Sequence, residues 1–100
     1  MRSLVYLDSA LDDLEAIYRF VTIESRSLVI GTAFIRELEA HCEKLATLPG
    51  TLGTARPALG PEIRSILHGR YIILFRYGEE QLEIVSVVNG RRDLERLFQS

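Results

Sequence analysis

A chain of 100 residues, 47% hydrophobic and 26% charged, has the length of a single domain and is too apolar for disorder. No apolar run reaches the roughly 18 residues of a membrane span, and a net charge of −2 disfavours nucleic acid as the principal ligand, although a local arginine cluster is still able to touch it. A lone cysteine, Cys42, makes no internal disulfide, and the N-terminus meets Asp8 before any apolar stretch of secretory length, so the expected compartment is the cytoplasm.

In chain order, Leu4-Val5-Tyr6-Leu7 is a β-branched and aromatic run that predicts an opening strand. Asp8 and Ser9 then supply an N-cap, with Asp12 and Asp13 in the first turn, and a helix is predicted over about 9 to 24. Leu11, Leu14, Ile17, Tyr18 and Val21 define its buried stripe. Ala16, Phe20 and Ile23 fall together on a separate side at about 100° per residue, giving the helix a second apolar face.

The polar break Glu24-Ser25-Arg26-Ser27 precedes a second predicted helix, which runs to Leu48 and is stopped by Pro49-Gly50. Its apolar arc is Ile30, Phe34, Leu38, Cys42, Leu45 and Leu48, widened by Leu28, Ile35 and Ala46. Two such helices form an antiparallel hairpin. Residues 49–61 hold three glycines and three prolines and read as a long loop.

From Glu62 the period becomes two, and turn signals at His68-Gly69-Arg70 and Gly78-Glu79-Glu80-Gln81 predict an antiparallel meander of strands 62–67, 70–77 and 81–88. Residues 91–98 are expected to form a short closing helix. By parity Tyr71, Ile73, Phe75 and Tyr77 line one face of the sheet, opposite Ile72, Leu74 and Arg76. Leu82, Ile84 and Val88 likewise oppose Val85 and Val87. An antiparallel sheet usually leaves one face polar. The hairpin covers only one of these two, so Ile66, Ile72, Leu74, Val85 and Val87 are expected to need the closing segment or a partner.

Candidate chemistry is sparse. Asp12, Asp13 and Glu15 diverge around the helix and suit its positive end. His41 and Cys42 are neighbours about 100° apart and cannot face each other, and His68 beside Gly69 reads as a turn residue. No zinc-type Cys/His spacing and no phosphate-cradling glycine loop exist, so neither metal nor cofactor is expected. Arg56, Arg64, Arg76, Arg91 and Arg92 either converge on the carboxylates of a partner tail or an RNA phosphate, or are scattered surface charges with one structural ion pair.

The order of these segments resembles the ParE branch of the ParE/RelE toxin superfamily, the toxin half of bacterial type II toxin-antitoxin modules. The resemblance is carried by Leu11-Asp12-Asp13-Leu14-Glu15-Ala16-Ile17, Ala33-Phe34, Leu45-Ala46-Thr47-Leu48-Pro49, Gly53, Arg56, Ile63-Arg64, Tyr71-Ile72-Ile73-Leu74-Phe75-Arg76-Tyr77 and Gly90-Arg91-Arg92-Asp93. It implies one α+β domain over residues 1–100, a helix hairpin packed on a small antiparallel sheet. It further implies a toxin that inhibits DNA gyrase, is neutralised by a ParD-type antitoxin, and meets operator DNA only through that antitoxin. Target inhibition falls on Arg91 and Arg92 by position in the family pattern. Antitoxin binding is expected at Ala16, Phe20 and Ile23 and at Arg64, Ile72, Leu74 and Arg76.

The RelE branch of the superfamily cleaves messenger RNA on the ribosome, which is the alternative reading. There the resemblance would imply an acid/base side chain near the C-terminus, yet the segment from Asn89 to Ser100 holds no His, Tyr or Lys. Arginine, with a pKa above 12, moves protons poorly, so the chain is not expected to be an enzyme. A third reading is a non-toxic partner in an autorepressor complex.

Overall fold

The computed structural model describes residues 2–90, and the closing helix expected over residues 91–98 lies outside them. Strand β1 (Ser3–Tyr6) leads into helices α1 (Asp8–Ser25) and α2 (Leu28–Thr47), followed by β2 (Thr54–Ala55), β3 (Arg64–His68), β4 (Tyr71–Tyr77) and β5 (Gln81–Asn89). The strands form one sheet in the order β1-β5-β4-β3-β2. The α+β architecture is the expected one, with an addition at each edge. β1 lies parallel to β5, Tyr6 opposite Ile84, and the long loop contributes β2 as a two-residue edge strand.

Helix α1 begins without the predicted cap. Leu7 is its N-cap residue and supplies no side-chain hydrogen bond, while the Ser9 hydroxyl donates to the Val85 carbonyl of β5 at 2.5 Å. Four residues on, an Asp13 carboxylate oxygen accepts both the Ser86 hydroxyl at 2.5 Å and the Val87 amide at 2.9 Å. These bonds fix the rotation of α1 on the sheet, so Ala10, Leu14 and Ile17 face inward. Leu11, expected in the stripe, is turned out and 50% exposed.

The chain reverses between the helices at Arg26, a non-glycine residue in the left-handed region with φ of 58°. Its amide and that of Ser27 close α1 on Ile23 and Thr22. Ser27 then caps α2 by accepting the Ile30 amide at 3.2 Å. With so short a connection the helices meet closely at Gly31, where an added Cβ would stand 2.0 Å from Thr22 Oγ1.

The core joins Leu38, Cys42, Leu45 and Ala46 of α2 and the inward residues of α1 to Tyr71, Ile73, Phe75, Leu82, Ile84 and Val87 of the sheet. Each large aliphatic side chain buried there contributes about 1.5–3 kcal/mol. Burial fades toward the hairpin turn. Leu28 and Ile30, assigned by periodicity to the buried arc, are 66% and 51% exposed, because only the other end of the hairpin rests on the sheet. Leu48, past the last turn of α2, is exposed as well.

A β-bulge revises the face assignments. Leu74 pairs with Ser86 but Phe75 with Ile84, which leaves Val85 as the extra residue. Beyond it parity reverses. Val87 joins Ile84 beneath the helices, and Val88 instead of Val87 shares the outer face with Val85. Ile66, opposite Ile73, also packs on the helix side and not outside.

The outer face is not bare. Ile72 and Leu74 are 5% and 4% exposed, with Leu59 and Ile63 of the long loop packed against them. Among the described residues no helix is long and apolar enough to cross a membrane.

Candidate functional site: an apolar flank on the helix hairpin

Ala16, Phe20 and Ile23 occupy successive turns of α1 on the side away from the core, as their spacing predicts, and all three are exposed. Phe20 is 48% and Ile23 72% exposed. Beside them a depression of about 220 Å³ is lined by Asp13, Ala16, Ile17, Phe20, Tyr71, Val87 and Asn89. An apolar ridge next to a depression floored by the sheet can accept a side chain from an amphipathic helix, the helix-in-groove mode of recognition.

The flank continues around the overhanging end of the hairpin. Leu28 and Val29, 66% and 79% exposed, border a groove of about 500 Å³ that runs past Thr32, Ala33, Arg36 and Glu37. The sequence carried a signal for this surface. Leu28-Val29-Ile30 are consecutive, and three consecutive positions sweep about 200° of a helix, so they cannot all face one core.

Among the described residues, Arg64 and Arg76 do not converge. Arg64 pairs across the sheet with Phe75, on the helix side, whereas Arg76 pairs with Glu83 on the outer side. Arg64 is occupied by the loop, its Nε donating to the Leu52 carbonyl at 2.7 Å and its Nη2 to the Gly53 carbonyl at 2.8 Å. The Tyr77 hydroxyl accepts the Leu52 amide in the same place at 3.0 Å. Arg76 forms an ion pair with Glu83, whose other carboxylate oxygen accepts from Gln81. Arg56 donates to the Ser65 hydroxyl at 2.8 Å. These guanidiniums brace the loop and the sheet, and no phosphate cradle forms from them. Arg91 and Arg92 lie outside the described residues.

Ile72 and Leu74, expected to meet a partner, are buried. Leu59 and Ile63 pack against them from the segment before β3, although Ile63 was expected inside a strand over 62–67. Asp13, read from the sequence as a solvated helix-end acid, instead holds the bulge. Arg19, 71% exposed, pairs with Glu15 within α1, a contact of small energetic weight.

Among the described residues, the cysteine and the two histidines lie away from this flank. Cys42 is fully buried and its thiol is pushed up to about 11, chiefly by burial, which makes it a poor nucleophile. The Tyr6 hydroxyl is also raised above its ordinary value, again mainly by burial. His41 and His68, separated by 27 positions, are brought face to face with their Nδ1 atoms 2.9 Å apart. Local sequence gives no hint of that meeting, which depends on how α2 crosses the end of β3.

Comparison with known proteins agrees with this architecture. Among solved structures, the chain is similar to one described as "Chromosomal ParDE TA system from P. aeruginosa", with a TM-score of 0.75 and 19% identity over 91% of this chain and 98% of that one. No curated protein matches. The model of the family described as "ParE toxin of type II toxin-antitoxin system, parDE" matches residues 4–94, from β1 through the end of the sheet. The chain, with its two-helix hairpin on a five-stranded sheet, belongs to the ParE toxin family of type II toxin-antitoxin systems.

Proposed function

We propose that this toxin is neutralised by a ParD-type antitoxin, which lays an amphipathic helix along Ala16, Phe20 and Ile23, and that in its absence the toxin inhibits DNA gyrase without catalysing a reaction. The observation that carries the antitoxin contact is the exposed apolar flank of Ala16, Phe20 and Ile23 beside the 220 Å³ depression. Membership of the ParE toxin family supports gyrase as the target. The cytoplasm, where gyrase works, is the corresponding compartment, and operator DNA is reached only through the antitoxin.

Arg64, Arg76, Ile72 and Leu74 are given structural duties in this reading. Their side chains are engaged within the fold, so they contribute to the antitoxin contact only by holding the surfaces that make it. Arg91 and Arg92 are assigned to target inhibition by their place in the family pattern. Intact messenger RNA together with cleaved, gyrase-linked DNA after induced expression supports the proposal. Cleaved messenger RNA with unaffected DNA overturns it in favour of a ribosome-dependent endoribonuclease, and unimpaired growth favours a non-toxic partner in a repressor complex. The variant R91A/R92A tests the site: it is expected to lose toxicity while still binding antitoxin, and full toxicity removes those arginines from the mechanism.

A further inference from the structure

We propose that the open margin of β3 beside Arg56 is a second antitoxin contact, which takes an extended acidic segment of that partner with a carboxylate on the Arg56 guanidinium and backbone beside Leu67. The inference rests on the reading of this chain as a toxin neutralised by a protein antitoxin. It adds a site that shares no lining residue with the depression beside Phe20.

Sheet geometry leaves this margin open. β2 pairs only with Ser65 and Arg64. In the same register Gly53 and Leu52 would stand opposite Ile66 and Leu67, but Gly53, with φ of 80°, turns the chain away. The Leu52 amide goes instead to the Tyr77 hydroxyl, and its carbonyl to Arg64. Residues Ile66 to His68 therefore pair with β4 on one side and with no strand on the other. Hydrogen-bonding direction alternates along a strand, and the Ile63 carbonyl and Ser65 face β2, so the amide and carbonyl of Leu67 face the open margin. Edge groups of this kind accept an added strand.

Charge and shape select the occupant. A depression of about 370 Å³ lies along the margin, its lining including the polar Thr54, Arg56 and Ser65 and the apolar Ile66, Leu67 and Ile72. Ser65, 4% exposed, fixes Arg56 by accepting from its Nε at 2.8 Å. Among the described residues the two Nη groups of Arg56 have no hydrogen-bond partner, and the ion pairs are Arg19 with Glu15 and Arg76 with Glu83. Residues 49–75 carry Arg56, Arg64 and Arg70 against Glu62 alone, a balance of +2 in a chain whose net charge is −2. A guanidinium anchored through Nε offers both Nη groups to a carboxylate. Leu67, 68% exposed, stands beside it. A free phosphate would leave that leucine uncovered, whereas a peptide carrying an acid next to an apolar residue covers both.

The test titrates the full chain with the ParD-type antitoxin encoded beside it. Arg56→Gln is expected to weaken binding by about tenfold or more, with the difference shrinking at high salt. Replacing the antitoxin's Asp and Glu residues singly by Asn and Gln is expected to identify one acid that couples to Arg56→Gln in a double-mutant cycle, whereas a general loss of toxin stability affects every antitoxin variant alike. In the unsubstituted toxin the Leu67 amide resonance is expected to shift on binding. An unmoved Leu67 amide, or the lack of any coupled acid, overturns the contact. Weakening by Phe20→Glu with none by Arg56→Gln also overturns it and keeps the flank on α1, while the reverse pattern upholds it and removes the flank.

Discussion

Asp13 of α1 accepts the Val87 amide of β5 at 2.9 Å, across 74 positions of sequence and two residues beyond the bulge at Val85. The same carboxylate oxygen takes the Ser86 hydroxyl, and Ser9 one helical turn earlier donates to the Val85 carbonyl. One helix end thus satisfies the polar groups that the irregular strand leaves over, which is what allows the bulge to persist in a part-buried setting.

Asp13→Ala removes the acceptor and leaves the Val87 amide and Ser86 hydroxyl without it. The expected loss of stability is about 1–3 kcal/mol by chemical denaturation, with a smaller loss for Asp13→Asn, whose carbonyl can still accept. Equal stability of Asp13→Ala and the unsubstituted toxin would show that the bulge does not depend on this contact.

Gly31→Ala is expected to cost about 1–3 kcal/mol, because the new methyl group must occupy the place of Thr22 Oγ1, 2.0 Å away. Thr22→Ala removes that obstacle. The two substitutions should therefore couple in a double-mutant cycle, the pair being more stable than the sum of the single effects predicts. Simple additivity would mean that the helices separate to relieve the clash.

Phe20→Glu and Leu74→Ala separate surface from support. Phe20→Glu places a charge on the exposed flank and is expected to weaken antitoxin binding by about 2 kcal/mol or more while Tm stays nearly constant. Leu74→Ala, at a site 4% exposed, is expected to lower stability by about 2–5 kcal/mol. Calorimetric titration with antitoxin and thermal unfolding of the free toxin check the pair, and an unchanged dissociation constant for Phe20→Glu removes the flank from the interface.

His41 makes the toxin sensitive to mild acid. Burial first, then the charges of His68 and Lys44, lower its pKa in the folded state below the ordinary 6.5, so the unfolded chain takes up the proton more readily. Its contribution to stability is complete above about pH 6.5 and falls away as pH drops through the lowered folded value. In metal-free buffer, Tm of the unsubstituted toxin should fall more between pH 7.5 and 5.5 than Tm of His41→Gln. Parallel curves would show that the group titrates alike in both states.

Local pattern made the elements legible and left their partnerships hidden. The β-branched and aromatic run of β4, the cap at Ser27 and the Pro49-Gly50 stop are short-range signals, and they place α2 and the meander within a residue or two. Val85 shows the limit. A bulge adds one residue without altering composition, and every inward or outward assignment beyond it inverts, which moved Val87 into the core. Of the candidate site, Ala16, Phe20 and Ile23 were readable from helical phase alone. The burial of Ile72 and Leu74 was not, since it depends on where an irregular loop lays Leu59 and Ile63.

The pairing of β1 with β5 sets a timetable for synthesis. Ser3–Tyr6 is made first, yet its hydrogen-bonded neighbour is Gln81–Asn89, so the opening strand waits for nearly the whole domain to be translated before it can dock. Contacts so distant along the chain are slow to close. The sheet therefore cannot close until its fifth strand emerges, and the order of strands along the chain makes completion of the fold one of the last events of synthesis.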